Sequence, residues 1–249
     1  MRRKVAAAAA AAAFAALTTL VAFGAGEEIE LAPANTNIKN TASLQRGAKY
    51  FVNYCLGCHS AQYVRYNKLA EGLLLTEDQL IDSLIFSDQQ PFDTMTNAMR
   101  NEDAERWFGI DPPDLSLIAR ARGVDYIYNF LRGFYVDESS ATGANNIVLP
   151  NTAMPHVLWE LQGLRRPIYE HSEGEAAAPV LTGFEVVRPG LLSEAEYDQV
   201  ARDISNFLDY IGEPMQLERR SLGIKVIGFL LVFLLIAWML KKEIWKDVA

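Results

Sequence analysis

A mainly α-helical domain held to a membrane by one C-terminal helix is the fold that this 249-residue sequence predicts. Three observations carry that expectation. Apolar residues recur at helical spacing behind two capping-box starts, Thr76 with Gln79 and Ser193 with Glu196. No strand-helix-strand alternation and no internal repeat accompanies them. Near the C-terminus, Leu222 to Leu240 forms a 19-residue apolar run whose one charge is Lys225. With half of its residues apolar and 22% charged, the chain is neither disordered nor collagen-like nor a polytopic membrane protein.

Element by element, the chain opens on Met1-Arg2-Arg3-Lys4, an alanine-rich run from Val5 to Phe23, and the small residues Gly24, Ala25 and Gly26. That order of basic, apolar and small residues reads as a secretory signal peptide over residues 1–26. After a leader from Leu31 to Thr41, the spacing of Leu44, Ala48, Phe51 and Cys55 predicts a helix from Ala42 to Tyr54. Thr76 and Gln79 open a second helix through Leu80, Ile81, Leu84 and Ile85 that ends before Pro91. Short helices are expected over Asp103 to Phe108, Leu115 to Ala121 and Asp125 to Leu131, with Pro112, Pro113 and Gly123 as breaks.

From Gly133 to Pro189 neither period is sustained, and Gly, Pro, Asn and Ser are frequent, which predicts a long irregular segment with at most a small hairpin. Segments of that length usually serve function. Ser193 and Glu196 then open a helix whose apolar face is Tyr197, Val200, Ile204, Phe207, Leu208 and Ile211, stopped by Gly212 and Pro214. The apolar run that follows is about 28 Å long as a helix, close to the thickness of a bilayer core. Lys225 can snorkel at one interface, and Trp238 and Trp245 suit the other. Flanking charges balance and do not orient it; the signal peptide does, exporting residues 27–221 and leaving 241–249 as a cytoplasmic tail.

The exported segment holds 16 Lys and Arg against 29 Asp and Glu, a formal charge of −13. Nucleic acid is thereby a poor partner, and a basic protein would be steered towards the domain.

The two cysteines of the chain fall in Cys55-Leu56-Gly57-Cys58-His59. This C-x-x-C-H spacing suits covalent haem c, in which two thiols bond the two vinyl groups and the adjacent imidazole reaches iron. A thioredoxin-like reading would need a strand before the motif and a βαβ setting, and zinc would want four ligands, where beyond this pentapeptide the chain offers only His156 and His171 besides carboxylates. A second axial ligand is expected; Met95, Met99, Met154 and Met215 are candidates, with His156 as an alternative. Met154 precedes Pro155 within the irregular segment, whereas Met95 and Met99 stand at the spacing of one helix face.

Around that motif stand YCLGCHSAQYVRYN (Tyr54 to Asn67), DTMTNAM (Asp93 to Met99), Trp107-Phe108-Gly109, Pro112-Pro113-Asp114-Leu115-Ser116, Arg120-Ala121-Arg122, Thr152-Ala153-Met154-Pro155 and one C-terminal anchor. In this order, over nearly all of the mature chain, the strings resemble the cytochrome c1 family, the haem c subunits of quinol–cytochrome c reductase complexes. The resemblance implies a class I cytochrome c-like domain with one covalent haem c, thioethers from Cys55 and Cys58, His59 as proximal ligand and Met154 as distal ligand. It also implies Arg122 and Tyr126 as propionate contacts, and Pro112 and Pro113 lining the pocket. Residues two apart on a helix face differently, so Arg120 and Arg122 do not readily share one propionate. His156 departs from the family pattern, where a second proline is common after the ligand. The implied partners are cytochrome b in the membrane, a Rieske iron–sulfur protein as donor and a soluble or tethered cytochrome c as acceptor. The implied setting is single-pass in a bacterial inner membrane with the haem domain in the periplasm; His171, in a polar loop, is expected to be solvated.

Overall fold

The structure is a computed structural model and describes residues 30–170 and 180–247. The expected signal peptide and His171 lie outside the described residues. From Ala32 onward the leader has no regular structure and turns at Ile38 and Lys39 before Asn40, whose side chain accepts from the Ser43 N–H and starts helix α1, Thr41–Tyr50. The predicted helix to Tyr54 divides: the last turn, Phe51–Cys55, is π-helical, which leads the chain into the cysteine motif. Strand β1 (Ala61–Arg65), helix α2 (Tyr66–Leu73), helix α3 (Glu77–Leu84) and strand β2 (Thr94–Met95) follow. The Thr76 capping box is formed as expected.

Helices α4 (Asn101–Phe108), α5 (Ile118–Arg122) and α6 (Val124–Arg132) match the three short helices that the sequence predicts, with shifted ends. The reading of 133–189 as mostly irregular is corrected. Strands β3 (Phe134–Val136) and β4 (Ala144–Asn146) pair antiparallel, and after helix α7 (Trp159–Gln162) strands β5 (Gly163–Glu170) and β6 (Val180–Pro189) form a longer antiparallel ladder. Register shifts at Leu164/Arg165 and Ile168/Tyr169 break its two-residue alternation, and β5 carries a proline, so periodicity alone missed it.

Helix α8 (Glu194–Gly212) is the central strut, opened by the Ser193 capping box, and its six predicted core residues are all buried. It packs on α1, α5 and α6. Gly47 allows the α1–α8 approach: a Cβ there would lie 2.1 Å from the Asp203 carbonyl oxygen and 2.6 Å from Phe207 Cβ. At the same crossing Phe51 and Phe207 rings meet at 5.3 Å. Buried Asp203 accepts from Ser43 Oγ (2.6 Å), Arg46 Nε (2.6 Å) and Gln199 Nε2 (2.8 Å), so its charge is fully partnered.

Helix α9, Gln216–Ile244, has no buried residue. Its 29 residues reach about 44 Å, longer than the roughly 30 Å hydrocarbon core, so the polar first turns form a stalk before the predicted span at Leu222. Among the described residues it is one helix long and apolar enough to cross a membrane.

Candidate haem centre

The π-helical turn after α1 buries Phe51 and Val52 and delivers Cys55 to the core edge. One tight turn follows, with the N–H groups of Cys58 (3.0 Å) and His59 (2.8 Å) both donating to the Cys55 carbonyl. Both thiols are unpaired, Cys55 buried and Cys58 half-buried. Burial pushes the Cys55 thiol up to about 12, with Cys58 adding to the shift, and raises the Cys58 thiol too. A thiol oxidoreductase needs the opposite, a stabilised thiolate at an exposed position. The helix-borne motif and these raised thiols argue against that rival, and among the described residues no three metal-ligating side chains converge as a zinc site would require.

His59 donates its Nδ1–H to the Pro113 carbonyl oxygen at 2.7 Å. That bond selects the tautomer that leaves the Nε2 lone pair for iron. Burial lowers the His59 pKa, opposed by the Pro113 bond and by the Asp114 and Asp111 charges, so the neutral, ligating form prevails at neutral pH. Half-buried Pro112 and exposed Pro113 are held in place by Asp114, whose carboxylate accepts from the Gln62 (2.9 Å) and Ser116 (2.8 Å) N–H groups, and by Leu115 N–H donating to Ser60 O at 2.8 Å.

On another side Asn97 ties its own segment to the motif, its N–H to Ser60 Oγ (3.0 Å) and its amide to the Cys58 carbonyl. Met95, in register with Ala61, is enclosed wholly by protein atoms, so its sulfur has no face left for an external group. Met99 is half-buried two residues past Asn97, on the segment strapped beside His59, and Met215 is 57% exposed at the foot of α9. Met154 is half-buried in a loop whose flanking residues Thr152, His156 and Leu158 are buried.

Arg122 lies over the Tyr126 ring, 5.4 Å from its centroid, while Arg120 is taken by an ion pair with Glu213. The two arginines therefore do diverge, as their spacing on α5 requires. Tyr126 stacks on Phe130 at 6.1 Å. Burial and the Arg165 charge lower the His156 pKa to about 4, which leaves a neutral imidazole. Asn97, Asp114 and Gln162 were not singled out from sequence; the first two sit inside the strings that carry the resemblance, and Gln162 has no local signal.

The model of the cytochrome C1 family matches residues 35–248, nearly all of the described chain. The chain belongs to the cytochrome c1 family. A cytochrome c1 from Allochromatium vinosum is 48% identical over 93% of this chain and 94% of its own length. A protein named ammonia monooxygenase gamma subunit from Nitrosomonas europaea is 42% identical over 93% of this chain and 94% of its own. A cytochrome c1 from Rhodospirillum rubrum is 28% identical over 82% of this chain and 81% of its own.

Cytochrome c1 proteins carry a covalently bound haem c, and this chain is a haem c protein of electron transport. The residues present fit the group. Two unpaired cysteines one turn apart could bond the two vinyl groups, while an imidazole with a free Nε2 and a half-buried methionine thioether would supply the donor pair for the haem iron. The helical arrangement around α8 is that of a c-type haem domain followed by an apolar helix.

Proposed function

We propose that this chain is the haem subunit of a bacterial quinol–cytochrome c reductase, passing electrons from a Rieske iron–sulfur protein to a soluble or tethered cytochrome c. Cys55 and Cys58 hold the haem by thioethers, His59 is the proximal ligand and Met154 the distal one. Arg122 and Tyr126 meet the propionates, and Pro112 and Pro113 line the pocket. Haem c supplies one-electron exchange between ferrous and ferric iron. The protein's own contribution is to fix the His59 tautomer, to exclude water and to present the haem from a tethered domain. The observation that carries this reading is the His59 Nδ1 bond to Pro113, which joins the cysteine motif to the Pro-Pro-Asp segment in the geometry an iron-bound imidazole needs. Full enclosure of Met95 removes that sulfur, and between the half-buried Met99 and Met154 the family resemblance favours Met154.

Residues 1–26 direct export, residues 27–221 form the periplasmic haem domain, and residues 222–240 cross the inner membrane beside cytochrome b, leaving 241–249 in the cytoplasm. The chain alone is an electron-transfer subunit and not an enzyme. Acidic groups on the exported domain favour a basic acceptor. The name of the Nitrosomonas relative supports a second reading, a tethered carrier serving a different assembly.

One isolation separates the two. Solubilised membranes are fractionated on a tag carried by this chain, and the haem is checked for resistance to acid-acetone extraction. Co-purification with a di-haem cytochrome b and an iron–sulfur protein is expected. Recovery with covalent haem but without those subunits favours the second reading, and loss of haem on extraction defeats both.

A further inference from the structure

Four residues at successive spacings of four, Arg122 at the end of α5, Tyr126 and Phe130 on α6 and Phe134 on β3, stack upon one another. Phe130 meets Phe134 edge-on at 5.1 Å, and the column ends on His156, whose ring lies parallel to Phe134 (3° between planes) at 4.9 Å. His156 is therefore the point where the wall bearing Arg122 and Tyr126 touches the loop bearing Met154.

Its nitrogens are closed as well as the ring face that meets Phe134. The Gln162 amide, in the orientation that satisfies both of its neighbours, donates to His156 Nε2 at 2.8 Å and accepts from Arg165 Nη2 at 2.8 Å. Arg165 in turn donates Nε to the Phe134 carbonyl at 3.2 Å and lies over the Phe184 ring at 3.9 Å, tying the network to β3 and β6. Nδ1 has no hydrogen-bond partner and no exposed surface, so neither nitrogen is open to an external group. The far end of the same loop is pinned separately: Asn145 Oδ1 accepts from Asn151 N–H at 2.8 Å, and Asn146 bridges Val148 N–H (2.9 Å) and the Phe130 carbonyl (2.7 Å).

We propose that His156 is a positioning residue, clamped between Phe134 and Gln162, that holds the Met154 loop in register over the haem face and does not itself bind iron. This deepens the proposed function and rests on Met154 as distal ligand. Physically, a loop residue free of regular structure keeps a sulfur in place only if its neighbours are fixed. Here the fixing comes from a stacked ring two residues away and from one buried hydrogen bond, not from the backbone of Met154, whose N–H makes a single long contact (3.4 Å) to Thr152 Oγ1.

The test uses the full-length, haem-loaded protein in detergent and three variants, Met154→Leu, His156→Ala and Gln162→Leu. Readouts are the sulfur-to-iron charge-transfer band of the oxidised form and the rate of carbon monoxide binding to the reduced form. Met154→Leu is expected to abolish the band. His156→Ala and Gln162→Leu are each expected to keep covalent haem, weaken the band and speed carbon monoxide binding by about tenfold, the change that one buried hydrogen bond is worth. Gln162→Leu decides alone if His156→Ala does not mature. A retained band in Met154→Leu overturns the ligand assignment itself. A lost band in Met154→Leu alongside native behaviour in Gln162→Leu and, where it matures, in His156→Ala overturns only the positioning role.

Discussion

His59 and Pro113, 54 positions apart, share a hydrogen bond of 2.7 Å from the imidazole Nδ1–H to the backbone carbonyl. A proline-fixed carbonyl is a rigid acceptor, and an acceptor on the remote nitrogen makes the other nitrogen a stronger electron donor to iron. Pro113→Gly keeps the carbonyl and frees its φ, so the bond weakens and the ferric state loses support. The midpoint potential is expected to rise by about 20–60 mV, the one-electron equivalent of a modest hydrogen bond of roughly 0.5–1.5 kcal/mol. Redox titration with mediators measures it, and an unchanged potential removes the bond from the list of tuning devices.

The methionines separate by enclosure. Met95 has no exposed surface and pairs with Ala61, whereas Met154 sits half-buried in its loop. Met95→Leu is a near volume-conserving core swap and is expected to cost less than about 1.5 kcal/mol without altering the spectrum. Met154→Leu is expected to lower the potential sharply. A Met95→Leu protein that loses its charge-transfer band in the oxidised spectrum reverses the assignment.

Gly47 marks the tightest point of the α1–α8 crossing, where a Cβ would stand 2.1 Å from a backbone oxygen. Gly47→Ala gains up to about 1 kcal/mol in helix propensity, but overpacking costs about 1–3 kcal/mol and a backbone neighbour cannot rotate away. The net expectation is a loss of about 2 kcal/mol, read as a lower denaturant midpoint by far-ultraviolet circular dichroism. A stabilised variant would show that the two helices separate easily.

What was legible in the sequence is what is encoded locally. Ser193 and Glu196, or Thr76 and Gln79, carry a helix start within four residues, and both capping boxes form. The cysteine motif is equally compact. Helix α2 was missed because it is short and ends on Leu74 in a left-handed conformation (φ 55°), where no glycine announces the stop. The β5–β6 ladder was missed because bulges interrupt its alternation. The contacts that shape the candidate site, Asn97 to Cys58, Asp114 to Gln62 and Gln162 to His156, join residues by three-dimensional closeness, and two of the three span 39 and 52 positions.

Asp198 joins α8 to α6, bonded to Arg132 (3.0 Å), Arg202 (2.8 Å) and the Tyr128 hydroxyl. Burial alone would raise its pKa, but the Tyr128 and Arg202 hydrogen bonds and the two arginine charges outweigh it and hold the carboxyl below its ordinary value. The stability it contributes is thus full above the unfolded pKa of about 3.9 and disappears as pH falls through the lower folded value. Asp198→Asn is expected to weaken the protein at pH 7 and to flatten its stability profile below about pH 4. Parallel acid unfolding curves for the two proteins would contradict the pairing.

The apolar helix contributes nothing to the domain core: no residue of Gln216–Ile244 is buried, and Lys225 is its one charge between Leu222 and Leu240. Apart from the single thioether of Met239, a helix so composed has no side chain to ligate a cofactor or conduct an ion, so its work is expected to be tethering and packing in the bilayer. Ending the chain near Gln216 removes Arg219, one of two arginines on Glu213, while Arg120 keeps that carboxylate paired across α5 and the end of α8. The buried core around α8, including the α1 crossing, is left whole. A chain ending there, exported with its signal peptide and a haem-maturation system, is therefore expected to be water-soluble. It is expected to keep the His59/Met154 spectrum and to reduce a soluble cytochrome c, while quinol-driven turnover is lost with the membrane partners. Absorption spectroscopy and stopped-flow reduction read these outcomes, and a truncated chain that loses methionine ligation would mean that the stalk, or the neighbours it recruits, completes the fold of the haem domain.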